Sequence, residues 1–326
     1  MTILWFGGED IDFPNGSTVE ISTGGSGYYR TNYSRCAVKC NAQYSTAKST
    51  IFPGGAVTSC WFTAYLDGGQ PGASNLLRGI GLGESSSGLG LFIGVVNNNA
   101  ILYGPGGSTL CTGTGELLPY SNNARLDVQV SNFGASATVV CYVNYTLTFT
   151  YNGDVRNGTA MAGFDSIFMG MDSAYCNAWF VSEIIVATTD TRTMSLRTRY
   201  PTADGTTHDM TGAYSDVDEI TINDADVIYT NTADKDQQCE ISDLPAGTFA
   251  VLATKIAVRA CKSEDASIDK IKLGYLSDGT VAVGSAQSLT TSWDTYEEIF
   301  ATNPVTLSAW LQSEQNALQV NVRSSA

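Results

Sequence analysis

Three carboxylates crowd the N-terminal run ILWFGGEDIDF: Glu9, Asp10 and Asp12. On an extended strand Asp10 and Asp12 share a face at a separation of roughly 7 Å. Glycoside hydrolysis uses paired carboxylates at about that distance, one as acid and one as base or nucleophile. The competing reading is that two aspartates near the start of an acidic chain are solvated strand-edge or turn residues. We take that second reading as the expectation, and with it a protein that is not an enzyme.

Other candidate chemistry is sparse. His208 is the only histidine, and it stands among Thr, Asp and Gly with no nucleophile-elbow sequence, so a triad or a His-rich metal site has too few members. No Cys-x-x-Cys pair is present to hold a structural zinc. The acidic residues Asp216, Asp218, Glu219, Asp224 and Asp226 could supply oxygens to calcium, but their spacing departs from the calcium-loop template and lacks its glycine. They read first as a solvated acidic face and next as a contact for a basic neighbour. Arg192, Arg197 and Arg199 place three of seventeen basic residues in one short segment. These eight residues are the candidate interaction residues. Residues 79–83 (GIGLG) read as flexible loop, because no helix follows to make a dinucleotide fingerprint. Trp61, Trp179, Trp293 and Trp310 could stack on sugars, but in runs this apolar they are expected in the core. No cofactor is implied.

The bulk numbers exclude several classes. The chain has 326 residues, 15% charged and 43% hydrophobic, with a net charge of −15. Residues 1–190 hold 7 basic and 13 acidic side chains (−6), and residues 191–326 hold 10 and 19 (−9). Such a surface repels nucleic-acid phosphates and anionic membranes alike. The N-terminus lacks a basic leader region, and the best apolar run, residues 89–96, is far shorter than a bilayer span. Synthesis in the cytosol is therefore expected, with the eight cysteines as reduced, mostly buried thiols. The Asn-x-Ser/Thr triplets at Asn15, Asn32, Asn144 and Asn157 are expected to be chance matches.

The elements that would position these residues are strands. Candidates cover residues 3–6, 56–67, 88–96, 124–131, 137–151, 165–171 and 178–187, separated by Gly, Asn and Pro clusters. Residues 139–150 alternate as a single strand, with Val139, Cys141, Val143, Tyr145, Leu147 and Phe149 on one face and Asn152-Gly153 as the turn. After residue 187 the apolar character stops, and TTDTRT reads as a solvated connector. Strand candidates resume at residues 248–260, 268–275, 279–283 and 293–300. One helix is expected over residues 306–318, with Leu307, Trp310, Leu311 and Leu318 on one face, before a closing strand at 319–322. The fold class is all-β: a jelly-roll or β-sandwich domain over residues 1–190, a linker at 191–203, and a second β-sandwich over 204–326.

ILWFGGEDIDF, the late strand with its exit SEIIVATTDTR, and the C-terminal passage from Ala282 through Arg323 together resemble virion structural proteins of tailed bacteriophages. Those proteins carry a concanavalin A-like (lectin/glucanase) jelly roll. The resemblance implies a part of the tail, baseplate or fibre, assembled into the virion in the host cytoplasm. It implies other virion proteins as partners, a homotrimer, and contact with a host-surface glycan; a capsid decoration or head-fibre role and a lectin/glucanase-like carbohydrate binder are the alternatives. Jelly-roll glucanases carry Glu-x-Asp-x-x-Glu on a strand. Here the chain reads Glu-Asp-Ile-Asp-Phe-Pro, without the second glutamate.

Overall fold

The structure, a computed structural model, describes residues 1–14, 19–22, 33–40, 46–68, 77–96, 99–116, 124–170, 179–264 and 267–326. It is almost wholly β, built from antiparallel sheets. The chain divides into two compact units, Met1–Leu196 and Arg197–Ala326.

In the first unit an eight-stranded sheet runs in the order Thr146–Gly153, Ala137–Val143, Ala124–Ser131, Cys60–Gly68, Trp179–Ala187, Ala37–Cys40 and Val19–Ser22, with Ile3–Gly7 also paired to Trp179–Ala187. A six-stranded sheet, from Thr46–Lys48 through Ser166–Gly170, Leu77–Glu84, Leu89–Val96 and Asn99–Tyr103 to Thr109–Glu116, makes the second layer. Alternation decides which side chains meet between them. Phe62, Leu126, Val128 and Cys141 from one sheet share a core with Ile80, Leu82, Leu91 and Ile167 from the other.

Three expectations change here. Residues 139–150 form a hairpin, Ala137–Val143 against Thr146–Gly153, turning at Asn144 and Tyr145, both in the left-handed region (φ 47° and 67°). Left-handed residues at both central positions are what a tight hairpin turn needs, and Asn tolerates them. A bulge then skips Thr148, so Tyr142 faces Leu147 while Cys141 faces Phe149, and Phe149 returns to the core. Residues 79–83 are strand rather than loop. Their glycines let the strands on either side in the same sheet sit close, since a Cβ on Gly81 would collide with the Leu91 carbonyl and one on Gly83 with the Phe168 ring. The segment after residue 187 is not solvated throughout: Thr191 and Met194 are buried against the eight-stranded sheet.

The second unit has a five-strand path, Pro201–His208, Asp236–Ile241, Gln319–Ser325, Lys270–Ser277 and Thr280–Val283, and a two-stranded sheet of Thr254–Ala260 with Asp294–Phe300. Tyr275 centres its core, edge-on to Phe300 at 5.3 Å and to Trp310 at 5.7 Å. The helix expected over residues 306–318 is a single turn, Gln312–Gln315; Trp310 and Leu318 are buried, but Leu307 and Leu311 are exposed. Gln319–Ser325 lies inside the sheet, paired on both sides.

A candidate binding face on the first unit

Of the N-terminal carboxylates, Glu9 and Asp12 hold structure. Asp10–Asp12 is a turn of 3-10 helix and not a strand, so the two aspartates do not share a strand face. Asp12 is buried, and its Oδ2 accepts the backbone N–H groups of Gly8 (2.7 Å) and Glu9 (2.9 Å). Glu9 is buried in a salt bridge to Arg35 (2.8 Å). His208 is exposed, with Nε2 against the Gly212 carbonyl and Nδ1 3.9 Å from Asp204. Among the described residues no group of three or more His, Cys, Asp or Glu side chains is arranged to hold a metal ion.

The acidic residues of the second unit are largely engaged nearby. The Asp216 carboxylate accepts the Ala213 N–H (2.8 Å), Asp224 binds Arg259 through two hydrogen bonds (2.7 and 3.0 Å), and Asp226 accepts from Asn223 (2.6 Å). Asp218 and Glu219 are half-buried beside them. Arg199 is turned inward, donating to the carbonyls of Ser242, Ile241 and Gln315, and burial lowers its pKa. Arg197 is half-buried in the same stretch. Arg192 belongs to the first unit, and Arg197 and Arg199 to the second.

Arg192 lies on the outer face of the eight-stranded sheet. Trp61 and Tyr142 point outward there, because each alternates with core residues of its strand, and their rings stack at 6.2 Å with planes 17° apart. The Arg192 guanidinium lies 4.5 Å from the Tyr142 centroid and 5.2 Å from that of Trp61. The guanidinium donates through Nε and Nη2 to Asp190, which holds it in place. That pairing lowers the Asp190 pKa and raises that of Arg192. Beside the stack, Tyr145 is 61% and Leu147 54% exposed, with Arg125 5.4 Å over the Tyr145 ring.

Beneath Arg192 the segment Thr188–Leu196 is fastened to this face. Arg125 donates to both Asp127 oxygens (3.1 Å), to the Thr191 carbonyl (2.7 Å) and to the Met194 carbonyl (2.9 Å). The Thr63 hydroxyl bridges Asp127 and the Thr191 hydroxyl. All four polar side chains are buried. Glu183 sits close by at a bulge between Ser182 and Ile185, buried and in the left-handed region (φ 52°).

Of the four tryptophans expected in the core, Trp310 is buried, Trp61 and Trp293 are only half-buried, and Trp179 lacks a described side chain. Arg259 stands over Trp293 at 6.0 Å, so each half-buried tryptophan among the described side chains carries an arginine. Sequence reasoning missed Tyr145 and Leu147 as a surface because it ran one strand straight through the hairpin. Cys36, Cys60, Cys111, Cys141, Cys239 and Cys261 are free thiols; Cys176 and the triplets at Asn15 and Asn32 lie outside the described residues.

No family model matches the sequence, and no curated protein matches it. Solved structures overlap with part of the chain. The cellulose-induced protein Cip1 is 14% identical with a TM-score of 0.39, over 53% of this chain and 86% of that one. The carbohydrate-binding module CBM66 from Bacillus subtilis is 8% identical with a TM-score of 0.33, over 52% and 95%. The catalytic domain of a glycoside hydrolase family 131 protein from Coprinopsis cinerea is 12% identical with a TM-score of 0.35, over 60% and 86%. Overlaps this loose assign the chain neither a family nor a function.

Proposed function

We propose that the chain works by binding rather than by catalysis, and that the outer face of the eight-stranded sheet in the first unit is its contact surface. The observation that carries this is the Trp61–Tyr142–Arg192 stack with exposed Tyr145 and Leu147 beside it. Trp, Tyr and Arg are the residue types that dominate binding energy at protein interfaces. The stack needs no rearrangement to dock, since Asp190 and the fastened segment already fix Arg192.

The partner we favour is another subunit of a tailed-bacteriophage virion. Support comes from the sequence resemblance of residues 3–13 and 166–192, and from the capping of the rings. A sugar stacks on a bare aromatic face, whereas Arg192 lies over both rings here. Glycan binding is the second reading, and the paired rings of Trp61 and Tyr142 support it if Arg192 swings aside to contact sugar hydroxyls. The acidic residues Asp216, Asp218, Glu219, Asp224 and Asp226 of the second unit are further candidate contacts for a basic neighbour.

Mass spectrometry of particles purified from the producing cells tests this, with a Trp61→Ala/Arg192→Ala chain in parallel. The wild-type chain should be a stoichiometric particle component, and the variant should fold but fail to incorporate. Absence of the wild-type chain from particles, together with retention on a glycan array that the variant loses, would favour the second reading. Equal behaviour of the two chains in both assays would remove the face from consideration.

A further inference from the structure

Two long stretches of the chain, residues 85–115 and 128–153, carry no charged side chain. The fold sets them together. Thr109–Glu116 is an edge strand of the six-stranded sheet, and Thr146–Gly153 is an edge strand of the eight-stranded sheet. The two edges abut: a Cβ on Gly113 would stand 2.8 Å from Thr148 Cγ2 and 3.1 Å from the Phe149 ring. One flank of the first unit is therefore lined by two strands whose only charged residue is Glu116, at the end of one of them, in a chain of net charge −15.

Exposed sheet edges are usually guarded by lysine, proline, inward charge or a bulge. Thr146–Gly153, TLTFTYNG, has only the bulge at Thr148. Beyond it, Phe149–Gly153 runs in unbroken register with Ala137–Cys141, and among the described residues no strand pairs with its other side. Thr150 and Asn152 are exposed.

We propose that this flank is a self-association surface, on which two copies of the chain pair their Thr146–Gly153 strands antiparallel about a two-fold axis near Thr150. Charge selects the occupant. A basic partner would gain more at the acidic surfaces, whereas a second copy, carrying the same −15, is repelled there and meets no like charge along this edge. Threonine opposite threonine is a favourable cross-strand pair. An isologous contact of this kind closes on itself, giving a dimer and not a fibre.

The inference rests on the neutral flank and not on the binding face, so each stands or falls alone. Sedimentation equilibrium of the full chain over a concentration series should give twice 34.6 kDa. Association should tighten as sodium chloride is raised, because salt screens the repulsion between two acidic bodies. Thr150→Lys and Thr150→Glu chains, each shown by thermal melting to be folded, should associate at least about tenfold more weakly alone, and a mixture of the two should recover the dimer. A monomeric wild type overturns the proposal. So does a dimer that both variants leave intact, or a pair of variants whose mixture stays monomeric while each is folded.

Discussion

The guanidinium of Arg125 and the backbone of Thr191 are joined across 66 residues of sequence, with Nη2 donating to the Thr191 carbonyl at 2.7 Å. Arg125 is itself neutralised by Asp127, which is wholly buried. The pair thus ties the last residues of the first unit to the middle of its eight-stranded sheet, and those residues carry Arg192 to the Trp61–Tyr142 stack. A buried charge pair is costly to break because the partner left behind is unsolvated.

Removing only the cation should therefore be worse than removing both charges. Arg125→Met should destabilise the first unit by about 3–5 kcal/mol, and adding Asp127→Val should restore most of the loss. The single variant should also become sensitive to protease between residues 188 and 196. Urea denaturation and limited digestion read both effects; an Arg125→Met chain as stable and as resistant as wild type would refute the fastening.

Asp12 makes a narrower prediction. Its Oδ2 takes the N–H groups of both Gly8 and Glu9, and Gly7 packs so close that a Cβ there would stand 2.5 Å from the carboxylate carbon. Asp12→Ala orphans two buried donors and should cost about 1–3 kcal/mol, whereas Asp12→Asn keeps one amide oxygen in place and should cost less. Equal melting of the two variants would mean that water replaces the carboxylate, and the structural role would fail.

The sheets were legible because apolar residues alternate in strands such as Ala124–Ser131, whose bounds the sequence reading matched. The hairpin was not. Asn144-Tyr145 lacks the glycine that marks a tight turn, and the apolar alternation continues through it to Phe149, which reaches the core only through the Thr148 bulge. The binding face was half visible. Arg192 stood out by its charge and Tyr142 by alternation, opposite Cys141, but Trp61 looked like core, since an outward aromatic and an inward one have the same local composition. The fastening by Arg125 was invisible, because nothing in sequence links residue 125 to residues 191 and 194.

Alkaline pH should unfold both units by a common route. A thiol ionises near 9 in the unfolded chain, and burial pushes Cys60 up to about 12 and Cys239 up to about 11. Burial likewise pushes Tyr275 from 10 up to about 12, against the opposing pull of Thr254 and Arg199. Raised pKa values mean that the folded state holds these protons more tightly, so their contribution is complete below pH 9 and is lost as pH climbs towards 12. Urea midpoints should fall over that window, less steeply for the first unit in Cys60→Ala. Native thiol labelling at mild pH should reach half-buried Cys111 and Cys261 before Cys60, Cys141 or Cys239. Uniform labelling, or midpoints flat above pH 9, would contradict the burial.

Leu307 carries the last prediction. Asn303 is buried, its Oδ1 accepts from the Val305 and Thr306 N–H groups, and its Nδ2 donates to Glu314, so the loop is fixed from within. That turn leaves Leu307 in the left-handed region (φ 57°) with its side chain 79% exposed. A left-handed L-residue costs about 1–2 kcal/mol, a strain that glycine escapes. Glycine adds back about 0.5–1 kcal/mol through its freer unfolded chain. Little packing is lost with a side chain so exposed. Leu307→Gly should therefore stabilise the second unit by up to about 1 kcal/mol, while Leu307→Ala, which keeps the Cβ, should not. Thermal melting separates the two. A glycine variant that melts lower than wild type would show that the leucine is held by contacts worth more than its strain, and that the loop is built to keep it there.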